Sequence, residues 1–175
     1  MKDFYLYDSP SFKRLKNLRQ DYPELDPNSV MLYLELQKTY KLMKEKHDNL
    51  MQQYEISDAK FTIMMLLTKE QDMTLAPSQL SKKIGSKKST ITGILKGMEN
   101  KGLIQRKLYE EDKRTNYVQL TKEGLTVLKK VLPENYELVS SMFETFTSEE
   151  KETFYNLISK LKNKLLKDEE NEEEN

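Results

Sequence analysis

Cysteine is absent from the 175 residues, and His47 is the single histidine. Without thiols the chain can form neither disulfides nor thiolate metal sites, and one imidazole cannot build a zinc site alone. We therefore expect no metal and no cofactor. No run approaches the roughly 20 apolar residues of a membrane span, and residues 1–25 lack the apolar core of a signal peptide. These absences predict a cytoplasmic protein that makes no use of a membrane.

Glycine and proline are scarce at five residues each, whereas charged residues make up 33% of the chain. This composition favours long helices with solvated faces over a β-sandwich or barrel. The net charge of zero conceals an asymmetry, because residues 168–175 carry six acids and no base. In contrast, residues 77–114 contain ten basic residues against four acidic ones. The basic surplus is therefore local, and the acidic end is expected to be a disordered tail that either solubilises the protein or competes with a polyanionic partner for the basic region.

Helix signals flank a compact central region. Asp26 followed by Pro27 is typical of a helix start, and the apolar stripe that follows indicates one long helix. Ser57 marks the next start, and Thr147 with Glu150 has the spacing of a capping box at the start of a final apolar-striped helix. The stripe of the long helix consists of Leu36, Tyr40, Met43, His47, Leu50 and Tyr54.

Residues 77–120 combine two short helices with a hairpin. A helix over 77–84 ends at Gly85, and a second helix carries Ile91, Leu95 and Met98 on one face up to Gly102. The pattern then becomes nearly alternating, with strands over 103–109 and 117–120 around a polar tip at 110–116. Helix, turn, helix and hairpin in this order predict a winged helix-turn-helix.

The second short helix has the chemistry of a DNA recognition helix. Its apolar face is used for packing, while hydroxyls and cations lie at its amino end and on its outer face, where the helix dipole is positive. Arg114 in the hairpin is expected to enter a minor groove, held in place by Asp112, while Lys107 and Lys113 contact phosphates. The predicted DNA-binding residues of the helix and its preceding turn are Ser86, Lys87, Lys88, Ser89, Thr90, Thr92, Gly93 and Lys96.

The hairpin and the recognition helix resemble those of the multiple-antibiotic-resistance regulator (MarR) family. The similarity rests on the motif D-x-R followed by L-T-x-x-G, which here reads Asp112-Lys-Arg114-Thr-Asn-Tyr-Val-Gln-Leu120-Thr121-Lys-Glu-Gly124, and on Lys88-Ser-Thr-Ile-Thr92 followed by Glu99-Asn-Lys-Gly-Leu-Ile104. Three positions depart from the pattern. Ala76 stands where a capping Thr is common, and Gly93 and Gly97 stand where larger side chains are frequent.

The resemblance implies a mainly α fold with a small β-wing, in which a winged helix-turn-helix joins an interleaved helical dimerisation domain. Residues 28–56 and 122–167 would form the dimerisation region, 57–121 the DNA-binding region, and 1–27 an N-terminal arm or short helix. A crevice for a small-molecule effector is also implied, with Tyr40, His47, Phe61 and Met65 as candidate lining residues. On general grounds His47, which lies on an apolar stripe, is better explained as a packed or hydrogen-bonded residue than as a ligand or a proton switch.

The sequence therefore predicts a transcription regulator, a repressor rather than an activator, that binds a pseudo-palindromic operator as a homodimer and responds to an effector. The first alternative is a winged-helix protein-interaction module without specific DNA binding, which Gly93, Gly97 and the acidic tail keep open. The second is an enzyme, which we do not expect, because the sequence has no phosphate-binding glycine loop, no metal cluster and no nucleophile paired with a base.

Overall fold

A computed structural model describes residues 10–109 and 112–173, with only the backbone described for residues 109, 112–115 and 169–173. These ranges are mainly helical with one small antiparallel sheet, which confirms the predicted fold class. In chain order the elements are α1 (Phe12–Leu18), α2 (Pro27–Gln53), α3 (Asp58–Leu67), a 3-10 turn (Gln71–Met73), β1 (Thr74–Leu75), α4 (Pro77–Ile84), α5 (Lys88–Asn100), β2 (Ile104–Tyr109), β3 (Asp112–Leu120), α6 (Lys122–Met142) and α7 (Ser148–Glu173).

The helix starts follow from side chains that bond the first free backbone N–H groups. The Asp26 carboxylate accepts hydrogen bonds from the backbone N–H groups of Asn28, at 3.3 Å, and Ser29, at 3.1 Å. Before α7, the N–H of Glu150 donates to Thr147 Oγ1 at 3.2 Å, and the N–H of Thr147 donates to the Glu150 carboxylate at 2.8 Å. The predicted starts of α2 and α7 are confirmed.

The sheet has the strand order β1-β3-β2, with Thr74 opposite Gln119 and Ile104 opposite Leu120. The predicted hairpin is confirmed, but β3 begins at Asp112, whereas the sequence predicted a tip that lasts to residue 116. Pairing of backbone groups with β2 explains the longer strand, since the β-ladder needs no apolar alternation along a solvated hairpin. The polar composition therefore hid the first part of β3.

The core of the unit formed by residues 1–135 lies beneath the two short helices and the sheet. Side chains from six elements are fully buried there, among them Met51, Ile63, Met64, Leu67, Leu80, Ile91, Leu95, Met98, Val118 and Leu128. Three residues that the sequence placed on one apolar face, Ile91, Leu95 and Met98, belong to this set. Each such burial stabilises the fold by about 1.5–3 kcal/mol relative to exposure.

Residues 136–175 form a second unit, made of the end of α6 and the whole of α7. The rings of Phe143, Phe146 and Phe154 pack edge to face here, with centroids 5.9 Å apart in each pair. No helix in the described part of the chain is both long and apolar enough to span a bilayer.

The predicted disordered tail from Asp168 onward is wrong for residues 168–173, because α7 continues to Glu173. Glutamate has a high helix propensity, and the Lys164 ammonium pairs with the Asp168 carboxylate one turn later, both of which extend the helix. Residues 174 and 175 lie outside the described residues.

Candidate nucleic-acid interface

Local hydrogen bonds fix the turn between α4 and α5. Gly85 ends α4 in the left-handed conformation, with φ of 69°, which favours glycine. The Ser81 hydroxyl donates to the Ser86 carbonyl at 2.5 Å, so the turn is bonded back to α4. At the start of α4, where a capping Thr is missing, Gln79 Oε1 accepts from the Ala76 N–H at 3.0 Å. Gln79 thus supplies the half of a capping box that satisfies the Ala76 N–H, while no described side chain takes the place of the missing Thr hydroxyl.

The two faces of α5 divide as the sequence predicts. Ile91, Leu95 and Met98 are buried, and the candidate DNA-binding side chains lie on the other side. Six of the candidates are exposed in addition to Gly93, namely Lys87, Lys88, Ser89, Thr90, Thr92 and Lys96, whereas Ser86 is half-buried in the turn. The structure therefore brings the predicted residues of α5 together on one accessible surface.

The amino end of α5 is electropositive for two reasons. No described side chain caps the helix there, so its first N–H groups stay open to an external acceptor. In addition, no ion pair within the described residues involves the nearby Lys82, Lys87, Lys88 or Lys96. Thr92 donates its hydroxyl proton to the Lys88 carbonyl at 2.9 Å, which leaves its oxygen lone pairs available as acceptors.

Other basic side chains of this region pair with acidic groups or carbonyl groups of the same chain. Lys83 Nζ lies 3.1 Å from a Glu70 carboxylate oxygen, and Arg106 Nε lies 3.4 Å from Glu99 Oε2. Lys101 Nζ donates to the Glu55 carbonyl at 2.8 Å. The sequence showed their charges but not these partners. The basic residues therefore divide into those that pair within the chain and the lysines near the amino end of α5, which form no ion pair within the described residues.

The wing candidates are only partly covered by the structure. Lys107 lies in β2 and is half-buried. Asp112, Lys113 and Arg114 lie in β3, but their side chains are outside the described residues. The predicted contact between Asp112 and Arg114 therefore stays a prediction.

The candidate effector residues meet only in part. The rings of His47 and Phe61 pack edge to face at 5.8 Å, and Met65 lies one turn further along α3, half-buried. Tyr40, in contrast, is 61% exposed on α2. His47 Nε2 is 3.0 Å from Asn135 Oδ1, and Nδ1 is 3.4 Å from an Asp58 carboxylate oxygen. His47 is thus a hydrogen-bonded residue that joins α2 to α3 and α6.

Sequence reasoning missed the polar partners on α6. Asn135 is buried and continues the inward stripe of Leu128 and Val131, a spacing that could have revealed it. About two turns after His47, the Tyr54 hydroxyl donates to the Glu134 carboxylate, and this hydrogen bond raises the pKa of Tyr54 above its ordinary value of 10.0. These contacts join the end of α2 to α6.

Comparisons with known proteins agree with this geometry. The model of the MarR family matches residues 56–115, which run from before α3 into β3. The chain is 32% identical over 156 residues to the HTH-type transcriptional repressor YetL of Bacillus subtilis (strain 168), covering 89% of this chain and 93% of YetL.

Solved structures share the fold. AbsC, a MarR family transcriptional regulator from Streptomyces coelicolor, superposes with a TM-score of 0.73 at 21% identity, covering 82% of this chain and 97% of AbsC. Sco3205, a MarR family transcriptional regulator from the same organism, was solved in complex with DNA; it superposes with a TM-score of 0.72 at 19% identity over 78% of this chain and 87% of Sco3205. With the winged helix-turn-helix in place and nearly all of YetL covered at this identity, the chain belongs to the MarR family.

Proposed function

We propose that this protein is a sequence-specific DNA-binding transcription repressor. The observation that carries the proposal is the amino end of α5, which combines uncapped N–H groups with lysines that have no acidic partner within the described residues. YetL is named a transcriptional repressor, and Sco3205 was solved on DNA. A nucleic acid rather than an acidic protein is favoured, because the exposed hydroxyls of Ser89, Thr90 and Thr92 suit base edges and phosphate oxygens.

In the proposed complex, α5 enters a major groove with its amino end first. The helix dipole and the lysines neutralise phosphates, while the hydroxyls contact base edges. Gly93 allows a close approach, since its position is exposed and a Cβ there would have no neighbour within 4 Å. Arg114, positioned by Asp112, would enter the adjacent minor groove, with Lys107 and Lys113 on phosphates.

We further propose that the protein binds as a homodimer. Large apolar side chains are exposed on α2, including Leu32, Tyr33 and Tyr40, and others are exposed along α7. Surfaces of this kind are uncommon on monomers and are typical of protein interfaces. A two-fold dimer would place its two recognition helices about 34 Å apart, which corresponds to half-sites roughly 10 bp apart.

A small-molecule effector would act near His47. The imidazole and the Phe61 ring lie between α2 and α3, while Asp58 and Asn135 supply polar groups on α3 and α6. A ligand that binds one arrangement of these helices better than another would shift the separation of the two DNA-binding regions and thereby the DNA affinity.

The test is binding of the full chain to DNA from its own upstream region and to random DNA at several salt concentrations. We expect a symmetric footprint on the upstream DNA, with an affinity that falls steeply as salt rises. Lys88→Gln and Arg114→Ala should each weaken binding, whereas Lys129→Gln, which removes the same charge from an exposed position of α6, should have little effect. Weak and equal binding to both DNAs would overturn the proposal in favour of a protein-interaction module.

A further inference from the structure

The carboxyl end of α5 is held by two ionic contacts that face different elements. Glu99, in the last turn of α5, has its carboxylate 3.4 Å from Arg106 Nε on β2. Lys101, which follows the helix, has Nζ 2.8 Å from the Glu55 carbonyl and 3.6 Å from the Glu55 carboxylate. One contact joins α5 to the wing, and the other joins it to the connection between α2 and α3.

The Lys101 contact is favoured by the local structure of its partner. Glu55 follows the carboxyl end of α2 with φ of 54°, in the left-handed region. Its carbonyl lies just beyond the carboxyl end of α2, near the negative end of the helix dipole, which attracts a cation, and its carboxylate offers the ammonium a second acceptor. The ammonium of Lys101 therefore joins the long helix α2 to the end of α5.

These contacts lie at the carboxyl end of α5, whereas DNA would meet the amino end of the same helix. From Lys88 to Asn100 the helix rises by about 18 Å, so a tilt of about 3° at the carboxyl end displaces the amino end by about 1 Å. Displacements of that size are enough to weaken a precisely placed binding site. The orientation of the carboxyl end therefore bears directly on binding at the amino end.

We propose that Glu99 and Lys101 are positioning residues that set the angle of the recognition helix, with Arg106 and Glu55 as their partners. Arg106 and Lys101 then stabilise the protein's own geometry and do not contact phosphates, although both belong to the basic surplus of this region. The proposal rests on the proposed DNA-binding function and deepens it. Its rival is that Arg106 and Lys101 bind phosphates directly.

The removal of an acid separates the two alternatives. If Arg106 contacts phosphate and Glu99 merely competes for it, Glu99→Gln frees the guanidinium and raises DNA affinity. If Glu99 positions α5, Glu99→Gln lowers affinity for the operator. Glu123→Gln is the matched control, because Glu123 is exposed on the first turn of α6 and has no ion pair within the described residues.

The experiment measures affinities of the full chain for the footprinted operator and for random DNA across a salt series. Relative to Glu123→Gln, we expect Glu99→Gln and Arg106→Gln each to lower operator affinity about two- to fivefold, as for the loss of a partly exposed ion pair. The double variant should be no worse than either single one, because both remove the same contact. Lys101→Gln should weaken operator binding, whereas Lys101→Arg should retain it, since a guanidinium can still donate to the Glu55 carbonyl.

The salt dependence supplies the readout that distinguishes positioning from direct contact. The logarithm of affinity falls as the logarithm of salt rises. A lost phosphate contact makes this negative slope shallower by about 0.9, whereas lost positioning leaves the slope unchanged. A shallower salt slope in Arg106→Gln or Lys101→Gln, or a higher operator affinity in Glu99→Gln, would overturn the positioning roles while leaving the proposed function intact. A wild-type protein that binds both DNAs equally would instead overturn the proposed function.

Discussion

At the scale of single residues, His47 joins α2 to both α3 and α6. Its Nε2 atom is 3.0 Å from Asn135 Oδ1 on α6, its Nδ1 atom is 3.4 Å from Asp58 on α3, and its ring packs against Phe61. Asn135 is only 8% exposed. Buried polar groups are nearly always hydrogen-bonded, because leaving one unpaired costs its full desolvation.

His47→Ala should therefore destabilise the protein beyond the loss of packing. The variant leaves the Asn135 amide without its imidazole partner, at an expected cost of about 1–3 kcal/mol in the free energy of unfolding. Urea denaturation measures this cost. His47→Gln, which can still bond the amide, should lose less, and Lys46→Ala, at the exposed neighbouring position, should lose little. An unfolding free energy of His47→Ala equal to that of Lys46→Ala would contradict the prediction.

Two glycines should respond in opposite directions to the same substitution. A Cβ at Gly124, in the first turn of α6, would lie 2.2 Å from the Leu103 carbonyl oxygen and 2.8 Å from Leu120 Cδ1, so Gly124→Ala should cost about 1–3 kcal/mol through overpacking. A Cβ at Gly93 would meet nothing within 4 Å, so Gly93→Ala should stabilise α5 by up to about 1 kcal/mol. Thermal unfolding of both variants should show a lower midpoint for the first and a higher one for the second; a shift in the same direction would count against the packing argument.

The exposed placement of the α5 candidates could be predicted from the sequence, because it depends on a local property, the side of one helix on which each residue lies. Sequence reasoning missed the partners that come from elsewhere in the chain. Asn135 is 88 residues from His47, and Glu55 is 46 residues from Lys101. Periodicity reveals which face a residue occupies, but the tertiary neighbour of that face depends on how elements pack.

At the scale of elements, boundaries set by local hydrogen bonds were predictable and boundaries set by pairing or extension were not. Asp26 caps α2, and Thr147 with Glu150 caps α7, as their spacing indicates. The start of β3 depends on pairing with β2, and the end of α7 depends on helix propensity in an acidic segment that was expected to be disordered. Local sequence carries the first kind of information but not the second.

The cap of α2 should make stability depend on acid pH. Hydrogen bonds from Ser29, first from its side chain and then from its backbone N–H, lower the pKa of Asp26 below its ordinary value of 3.8. A carboxyl whose pKa is lower in the folded state stabilises the fold fully above the pKa of the unfolded chain, and this contribution is lost as pH falls through the folded value.

Asp26→Asn should therefore remove part of the acid sensitivity while keeping the cap, since asparagine also caps helices well. Near neutral pH its thermal midpoint should lie slightly below that of the wild type, and the difference should shrink as pH falls below 3.8. Asp21→Asn, at an exposed position outside the helices, controls for the general effect of removing an acid. A difference between wild type and Asp26→Asn that stays constant with pH would refute the role of the ionised cap.

At the scale of the whole molecule, the second unit leaves much apolar surface uncovered within one chain. On α7, Phe154, Leu157, Ile158, Leu161 and Leu165 recur at helical spacing and are all exposed. Burial of such side chains is worth about 1.5–3 kcal/mol each, and a long helix whose apolar stripe has no partner is marginal. A second copy of the chain, as in the proposed homodimer, would cover this stripe.

Leu161→Glu tests that covering. An unpaired carboxylate in an apolar interface is costly, so the dimer dissociation constant measured by sedimentation should rise by about tenfold or more. Asn163→Glu adds the same charge to α7 about 200° around the helix, and it should leave the dimer unchanged. Operator binding should fall in parallel with dimerisation, because a single DNA-binding region contacts only one half-site. If Leu161→Glu stays dimeric while Asn163→Glu dissociates, the interface lies on the other face of α7; if both stay dimeric, α7 does not form it.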